Sequence, residues 1–373
     1  MRKKVIIFYI QPASGHFIAA KSINNAFKLN HPDIEIYMLD FMNYINPLIA
    51  NLLLKTYSNV IKRSPETWDF LYDNPNVLKK TQKLRNLIIR LNLTRLKKIL
   101  NEINPEAIIC TQAIPCSALA FYKQKQNANF KIISAVTDFT THSYWVYDEV
   151  DHYMVPSERE KWRLLSKGVS SKKIHVTGIP IDPKYKEKKD IKILKEKYDL
   201  DPNKITVLIM GGSQGLGKIK TIVNQVCKIE IDFQLLILAG TNKSLLKKMT
   251  DKKNIGKNNK NIKVFSHIDY VDELMEISDI LITKPGGLTT SEALAKELPM
   301  ILTNPIPGQE KQNSEYLVGE KVALTANNIE ELIKTISELL QNPEALRELS
   351  FQTQRLKKPD SAERIAELLC LNF

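Results

Sequence analysis

The glycine-rich stretch "IMGGSQGLGKIK" is the part of the sequence that most suggests chemistry. Gly212, Gly217 and Lys218 match the G-x-x-x-x-G-K spacing of a phosphate-binding P-loop, but Ile219 stands where a Ser or Thr hydroxyl would hold Mg²⁺. Its four glycines allow the backbone to approach a ligand closely, and the free N–H groups at the start of a following helix attract anions. The loop is therefore predicted to bind a diphosphate without a metal. A plain tight turn between strand and helix is the alternative.

A second segment contains "KPGGLTTSEA" and, further along, "PGQE". We expect residues 285–287 to end a strand and residues 289–291 to open a helix whose N-terminus again favours an anion. Glu292 is then expected in the first turn, where a carboxylate can accept hydrogen bonds from both hydroxyls of a ribose. Its alternative role is to cap its own helix. Gln309 and Glu310 offer an amide and a carboxylate that suit sugar hydroxyls.

Candidate residues for proton transfer lie in the first half of the chain. His16, in "ASGH", follows an apolar run and could take a proton from an acceptor hydroxyl. Asp138, in "TDF", could orient that imidazole or be the base itself. His142 and Trp145 follow closely and could line an acceptor pocket, although Trp145 could equally belong to the core. A surface or helix-capping histidine is the ordinary alternative for His16.

The elements that would position these residues follow the alternation of a doubly wound α/β fold. Short Val- and Ile-rich runs alternate with amphipathic stretches, which predicts parallel sheets covered on both faces. Strands are predicted at 3–10, 34–39, 106–110, 131–136, 151–155, 173–176, 205–210, 233–239, 262–265, 279–283 and 299–303. Helices are predicted notably at 15–29, 157–167, 218–229, 243–251, 270–277, 288–296 and 328–341.

The segment "GIPIDPKYKEKKD" reads as a linker, because it combines glycine, prolines and a run of charges. It divides the chain into an N-terminal domain at 1–180, a C-terminal domain at 181–342 and a helical tail at 343–373, expected to pack back toward the N-terminal domain. Two such domains would bind a ligand in a cleft at the carboxyl ends of their strands.

Composition limits the class of protein. The chain has 373 residues, 43% of them hydrophobic, which suits about two domains with large cores. The net charge of +13 favours an anionic partner. Four widely spaced cysteines, without a C-x-x-C pair, are compatible with a reducing cytosol and argue against a zinc ribbon. No run of about 18 apolar residues predicts a membrane span.

The segment 79–98 carries eight Lys and Arg, no acidic residue, and interleaved Leu and Ile. Such spacing predicts an amphipathic helix that lies on an anionic membrane surface, with Lys83, Arg85 and Arg90 among the contacts. An ordinary solvated helix packed on the domain is nearly as consistent with the pattern. Nucleic acid is a weaker partner, because no aromatic stacking pattern accompanies the charges.

Taken together, the motifs resemble a known family. The arrangement G-G-S-x-G-x-G, K-P-G-G-x-T-x-x-E-A and P-x-P-G-Q-E-x-x-N is similar to glycosyltransferases that make glycolipids: bacterial diacylglycerol glucosyltransferases and plant monogalactosyldiacylglycerol synthases. These resemble in turn the N-acetylglucosaminyltransferase of the peptidoglycan precursor. "SGHFIAAKSI", "TDFTTHSYWV" and "VTGIPI" belong to the same resemblance, which spans most of the chain.

The resemblance implies a GT-B fold of two Rossmann-like domains, no cofactor or metal, and inverting transfer of a hexose from a UDP-sugar to diacylglycerol. His16 and Asp138 would be catalytic, and the enzyme would sit peripherally on the cytoplasmic face of the membrane. The donor-binding residues would be Gly212, Ser213, His267, Lys284, Gly286, Gly287, Thr289, Glu292, Gln309 and Glu310. Three rivals stay open: transfer to an undecaprenyl-linked peptidoglycan precursor, a non-catalytic UDP-sugar-binding module, and a UDP-sugar epimerase.

Overall fold

The structure, a computed structural model, describes residues 2–11, 14–45, 93–211, 219–250 and 261–371. It divides the chain into two compact units. Unit 1 comprises Met1–Pro183, Ile306–Gln312 and Asp360–Phe373, and unit 2 comprises Lys184–Pro305 and Asn313–Pro359. The chain therefore passes from unit 1 to unit 2 near the expected linker and returns to unit 1 twice.

The sheet of unit 1 is entirely parallel in the order β2-β1-β3-β4-β5-β6. Buried aliphatic runs such as "AIIC" in β3 explain why these segments form inner strands, since both faces of the sheet are covered. The strands are β1 (Lys4–Tyr9), β2 (Glu35–Asp40), β3 (Ala107–Cys110), β4 (Lys131–Ala135), β5 (His152–Val155) and β6 (Ile174–Val176).

Helices cover both faces of this sheet. The helix α1 begins after Ser14, whose side chain accepts a hydrogen bond from Phe17 N and so caps the helix. The helices of this part of the chain are α1 (Gly15–Asn30), α2 (Leu93–Ile103), α3 (Ala113–Gln126) and α4 (Glu158–Ser166).

Unit 2 repeats the design with a parallel sheet in the order β12-β11-β10-β7-β8-β9. Its strands are β7 (Thr206–Met210), β8 (Gln234–Leu238), β9 (Ile262–Phe265), β10 (Ile280–Thr283), β11 (Met300–Thr303) and β12 (Ala323–Ala326). The helices of the remaining chain are α5 (Ile191–Lys197), α6 (Ile219–Val226), α7 (Lys243–Thr250), α8 (Val271–Glu276), α9 (Gly287–Ala295), α10 (Gln309–Gly319), α11 (Ile329–Gln341), α12 (Pro343–Thr353) and α13 (Ser361–Leu371).

The C-terminal tail is divided between the units, whereas the sequence led us to expect one helical tail that packs toward the N-terminal domain. The helix α12 belongs to unit 2, and α13 belongs to unit 1, where it packs against α1. Ile365 and Ala366 of α13 are fully buried in the same cluster as Ile23 and Phe27 of α1. The Ser361 hydroxyl also accepts a hydrogen bond of 3.1 Å from Ile181 N. The last helix is thus part of the core of unit 1.

The described part of the basic segment packs its apolar face inward and exposes its cations. The helix α2 begins at Leu93, and Leu96, Leu100 and Ile103 are all buried in the core of unit 1. Leu96, one of the interleaved apolar residues of the segment, therefore faces the core, whereas Arg95, Lys97 and Lys98 are exposed. Lys83, Arg85 and Arg90 lie outside the described residues. Within the described ranges, no helix is long and apolar enough to span a bilayer.

Each sheet has one point at which the strand order reverses. In unit 1 it lies between β1 and β3, and in unit 2 between β7 and β10. In doubly wound sheets, ligands bind beyond the carboxyl ends of the strands at this switch point, where successive connections leave on opposite faces. His16 follows β1, and Lys284 follows β10, so the topology directs attention to these two places.

Candidate active site

His16 is held at the switch point of unit 1 by residues from the ends of three neighbouring strands. It is the second residue of α1, which follows β1. Its Nδ1 atom lies 3.1 Å from the hydroxyl of Thr137, which lies just beyond β4. Its backbone carbonyl accepts a hydrogen bond of 2.9 Å from the hydroxyl of Thr111, which ends β3. The two threonines were not predicted from the sequence, because nothing in "CTQ" or "VTD" distinguishes a site residue from a strand end.

The environment of His16 keeps its imidazole neutral. Burial lowers the pKa of His16 to about 4, and the backbone carbonyl of Thr111 partly opposes this by favouring the protonated ring. At neutral pH the ring therefore carries one proton and one lone pair. A neutral imidazole in this position is able to accept a proton.

Asp138 follows Thr137 in the sequence, and its described contact is with Gln309. Its Oδ2 atom accepts a hydrogen bond of 3.2 Å from Gln309 Nε2. The His16 ring contacts the Thr137 hydroxyl, and the backbone carbonyl of Thr111 also acts on it. The predicted role of the Asp138 carboxylate in orienting the imidazole stays a prediction. Asp138 stays a candidate for the base itself.

A buried carboxylate fixes the backbone of the loop that follows β4. Glu160 of α4 is completely buried, and its Oε2 atom accepts a hydrogen bond of 2.5 Å from Thr141 N. His142 is the next residue; it is buried, and its ring lies 5.6 Å from that of Tyr144. Trp145 is 2% exposed and belongs to the core cluster of unit 1. This burial favours the alternative that Trp145 is a core residue, and its role in an acceptor pocket stays a prediction.

In unit 2 the switch point carries an open helix N-terminus. Gly286 is the N-cap of α9, and Gly287 is the first helical residue. A Cβ atom built on Gly286 would meet no described atom within 4 Å, so the backbone there has room for a ligand. Asn313 is fully buried and donates a hydrogen bond of 3.1 Å to Pro285 O, which fixes the turn. The N–H groups of the first turn of α9 therefore suit an anion.

Glu292 occupies a different part of α9 from the one expected. The helix begins at Gly287, before Thr289–Ser291, because the glycine pair itself forms the helix start. Glu292 is consequently in the second turn, and it is buried with 8% exposure. A carboxylate there is too far along the helix to cap its own N-terminal N–H groups. The self-capping alternative is therefore wrong, and the ribose-binding role remains a prediction.

The "PGQE" turn is the start of the helix α10 and groups with unit 1. Gly308 has φ +85°, a left-handed conformation that favours glycine. Glu310 Oε2 accepts a hydrogen bond of 3.0 Å from Ile306 N, so this carboxylate helps to close its own turn. Gln309 contacts Asp138, as described above. Their predicted role in hexose binding is not tested by these contacts.

His267 is exposed in the loop between β9 and α8. This loop leads into Asp272, a buried carboxylate that forms ion pairs with Lys184 at 3.2 Å and Lys189 at 2.6 Å. Glu273 beside it accepts a hydrogen bond of 2.6 Å from the Tyr198 hydroxyl. The ion pairs of Asp272 with lysines at the start of unit 2 thus fix the C-terminal end of this loop. They leave His267 accessible to a ligand.

Several predicted site residues lie outside the described ranges: Gly212, Ser213, Lys83, Arg85 and Arg90. Gly211, the residue that follows β7, is described and buried, so the glycine loop begins at the switch point of unit 2. Among the described residues, no group of three or more His, Cys, Asp or Glu side chains could hold a metal ion. Lys284 and Thr289 lie half-buried beside and within the first turn of α9.

The chain matches two family models. Residues 16–181 match the monogalactosyldiacylglycerol (MGDG) synthase model, and residues 206–365 match the glycosyltransferase family 28 C-terminal domain. The first match begins at His16, and the second contains both predicted donor motifs.

Curated relatives match over nearly the whole chain. A processive diacylglycerol beta-glucosyltransferase of Bacillus subtilis (strain 168) is 28% identical over 98% of this chain and 94% of its own length. One from Staphylococcus carnosus (strain TM300) is also 28% identical, over 95% of this chain and 89% of its own.

Solved structures share the fold. Acinetobacter baumannii MurG superposes with a TM-score of 0.68 at 13% identity and covers 99% of both chains. A S. aureus MnaA-UDP co-structure superposes with a TM-score of 0.65 at 15% identity, and the match covers 99% of this chain and 97% of that one. These matches confirm the GT-B class, and the two family models confirm the resemblance seen in the motifs. The chain is therefore a glycosyltransferase of the GT-B class, similar to MGDG synthases over residues 16–181 and to glycosyltransferase family 28 C-terminal domains over residues 206–365.

Proposed function

We propose that this enzyme transfers glucose from UDP-glucose to the free hydroxyl of diacylglycerol, with inversion at the anomeric carbon, and that it extends the product by further glucose units. The names of the full-length relatives support the acceptor, the sugar and the successive transfers. The observation that carries the proposal is where the predicted base and the predicted diphosphate site lie in the two sheets. A neutral imidazole lies at the switch point of one sheet, and an open helix N-terminus lies at that of the other.

The donor half of the reaction belongs to unit 2. The N–H groups at the start of α9 and in the glycine loop would neutralise the leaving diphosphate, which makes a metal ion unnecessary. Glu292 would accept hydrogen bonds from the ribose. Gln309 and Glu310, which group with unit 1, would contact the hexose. The loop that carries His267 would bracket the uracil. EDTA is accordingly expected to leave turnover intact, and full loss that Mg²⁺ restores would contradict this part of the proposal.

The acceptor half belongs to unit 1. The hydroxyl oxygen of diacylglycerol attacks the anomeric carbon and loses its proton to His16, while UDP departs with the electrons of the broken glycosidic bond. His16 is assigned as the base because its ring is neutral at physiological pH and follows β1 at the switch point, whereas Asp138 Oδ2 already accepts a hydrogen bond from Gln309. A positioned general base contributes about 10²–10⁴ to turnover. His16→Ala should therefore lose that factor and keep UDP binding, whereas turnover within a few-fold of the parent would assign the base to Asp138.

The membrane part of the proposal rests on composition. The net charge of +13 and the basic segment at 79–92 support association with anionic lipids on the cytoplasmic face. His142 is a candidate for acceptor contact, since the loop that carries it follows β4 at the same edge as His16.

The deciding experiment is incubation with liposomes that contain diacylglycerol and one radiolabelled donor, followed by lipid chromatography. UDP-glucose, UDP-galactose and UDP-N-acetylglucosamine form the three arms. We expect label from UDP-glucose in diacylglycerol products of increasing sugar number. Label from UDP-galactose alone would correct the sugar. Transfer from UDP-N-acetylglucosamine to an added undecaprenyl-linked precursor would favour that rival, and absence of transfer in every arm would favour a binding module.

A further inference from the structure

Two threonines surround His16, and both are almost completely inaccessible to solvent. Thr111 is 0% exposed and Thr137 is 3% exposed. The hydroxyl of Thr111 shares its one proton between two backbone carbonyls, that of His16 at 2.9 Å and that of Phe8 at 3.2 Å. It thereby ties the end of β1 and the first turn of α1 to β3. The backbone of His16 is therefore fixed independently of its side chain.

The Thr137 hydroxyl lies between a backbone carbonyl and the His16 ring. Thr137 Oγ1 donates a long hydrogen bond of 3.4 Å to the backbone carbonyl of Thr111, and a carbonyl oxygen can only accept. Because a hydroxyl has one proton, this bond and the 3.1 Å contact with His16 Nδ1 are both made only when the same oxygen accepts from Nδ1. Nδ1 of His16 is then the donor, and it carries the single proton of the neutral ring. The lone pair is left on Nε2. This tautomer is assigned from the hydrogen-bond network.

We propose that Thr137 is a positioning residue that holds His16 in the Nδ1–H tautomer and so presents Nε2 as the proton acceptor. The inference rests on the proposed role of His16 as base. The Thr137 hydroxyl would have the role of the carboxylate in a Ser-His-Asp triad, where the aspartate also fixes the tautomer of the histidine. It differs in charge: a neutral partner orients the ring without attracting a second proton to it. The low pKa of His16 agrees with such a neutral partner.

The first test separates the hydroxyl from the shape of the side chain. Thr137→Val keeps the branched shape and removes the acceptor, whereas Thr137→Ser keeps the hydroxyl. Hydrogen-bond partners that fix the tautomer of a metal-bound histidine contribute about 10–100-fold, and we use the same range for Thr137. We expect kcat of Thr137→Val to fall by that factor while KM for the UDP-sugar changes by less than about twofold, and we expect Thr137→Ser to recover most of the loss. Equal kcat for the valine and parent enzymes, or equal losses in the serine and valine variants, would overturn the inference.

The second test does not depend on activity. In protein labelled with ¹⁵N-histidine, the spectrum of His16→Ala identifies the ring signals of His16 among the six histidines. In the parent we expect a protonated Nδ1 and an unprotonated Nε2 at pH 7, and in Thr137→Val a mixture of tautomers. A parent ring protonated on Nε2 would overturn the inference even if the valine variant failed to fold.

The two tests also separate this inference from the proposed function. If His16→Ala retains full turnover, His16 is not the base, and the proposed mechanism fails whatever the tautomer. If His16→Ala is inactive but Thr137→Val matches the parent in kcat and in its ring signals, the mechanism stands and the positioning role of Thr137 fails.

Discussion

At the scale of single residues, the chemistry depends on how the protein treats one imidazole. Burial lowers the pKa of His16 to about 4, whereas the pKa of an unperturbed histidine is about 6.5. Only the neutral ring can accept a proton, and a group with a lowered pKa remains neutral further into acid. The same shift destabilises the fold in acid, because the unfolded chain gains a proton at His16 below about pH 6.5 and the folded chain does not.

The acid limb of the pH profile follows from this. Since kcat/KM reports the free enzyme, we expect it to stay nearly constant from about pH 8 to about pH 5 and to halve near about pH 4. The measurement is kcat/KM at constant ionic strength, with circular dichroism at each pH to exclude unfolding. A midpoint near about 6.5 in folded protein would mean that His16 is not desolvated in solution, or that another histidine controls the reaction.

A second residue-scale prediction concerns the donor. Glu292→Ala should weaken UDP binding by about 1–3 kcal/mol, the usual cost of losing a charged hydrogen-bond partner. The matched control is Glu315→Ala, which removes the same charge from an exposed position of α10. Calorimetry with UDP measures both. Equal affinities for the parent and both variants would remove Glu292 from the ribose site.

At the scale of elements, α13 has a measurable consequence for stability. Ile365 is completely buried against α1 and the sheet of unit 1, whereas Leu371, at the end of the same helix, is 83% exposed. Truncation of a buried isoleucine to alanine typically costs about 2–5 kcal/mol, and truncation of an exposed leucine stays within about 0.5 kcal/mol.

Hydrogen exchange can locate this effect. In Ile365→Ala we expect faster exchange of the amides in β1 and β4, with β7 and β10 unchanged, because Ile365 belongs to unit 1 alone. Leu371→Ala is the control and should match the parent in all four strands. Loss of protection in β7 and β10 as well would show that the two units unfold together.

The elements also show where sequence reasoning succeeds. Uninterrupted apolar runs such as "VLIM" and "ILIT" predicted the inner strands to within a residue or two, because such runs are buried on both faces in parallel sheets. The strand β12, "ALTA", was missed because four residues of mixed polarity give no periodic signal. The helix α10 was taken as a turn, since its polar sequence "QEKQNSEYLVG" shows no clear apolar face.

For the site, the glycine motifs and His16 were found because backbone freedom and imidazole chemistry are visible in single residues. The contact between His16 and Thr137 was not, because it joins positions 121 residues apart. The roles of Trp145 and Leu96 depend on which way a side chain faces. An apolar residue among cations looks the same in sequence whether its surface is covered by lipid or by the protein core.

At the scale of the whole molecule, the remaining question is which surface meets the membrane. The membrane role of the segment 79–98 stays a prediction for its residues 79–92, which lie outside the described ranges, whereas α2 packs its apolar face into the core. Replacement of Lys83, Arg85 and Arg90 by Glu should weaken binding to phosphatidylglycerol liposomes by about 3 kcal/mol or more, at about 1 kcal/mol per basic residue. Added salt should weaken parent binding without abolishing it, because the apolar contribution is not screened.

The control must change the net charge equally. Lys192, Lys228 and Lys334 are exposed in unit 2, and their replacement by Glu reverses the same number of charges. Flotation with acidic liposomes compares the two triple variants with the parent. Activity on a short-chain, water-soluble diacylglycerol should persist in both. If both variants float as poorly as each other, net charge alone governs binding, and the segment at 79–92 is not the contact.

The return of α13 to unit 1 also sets the order in which a newly made chain can be completed. All six strands of unit 1 have been synthesised by Val176, but the helix that covers Ile23 and Phe27 follows only at residues 361–371. At about 5–20 residues per second, the ribosome leaves that apolar face open for roughly 10–40 s. A nascent chain with such a face invites chaperone binding or premature association. Unit 1 is therefore begun first during synthesis, but its core is completed last.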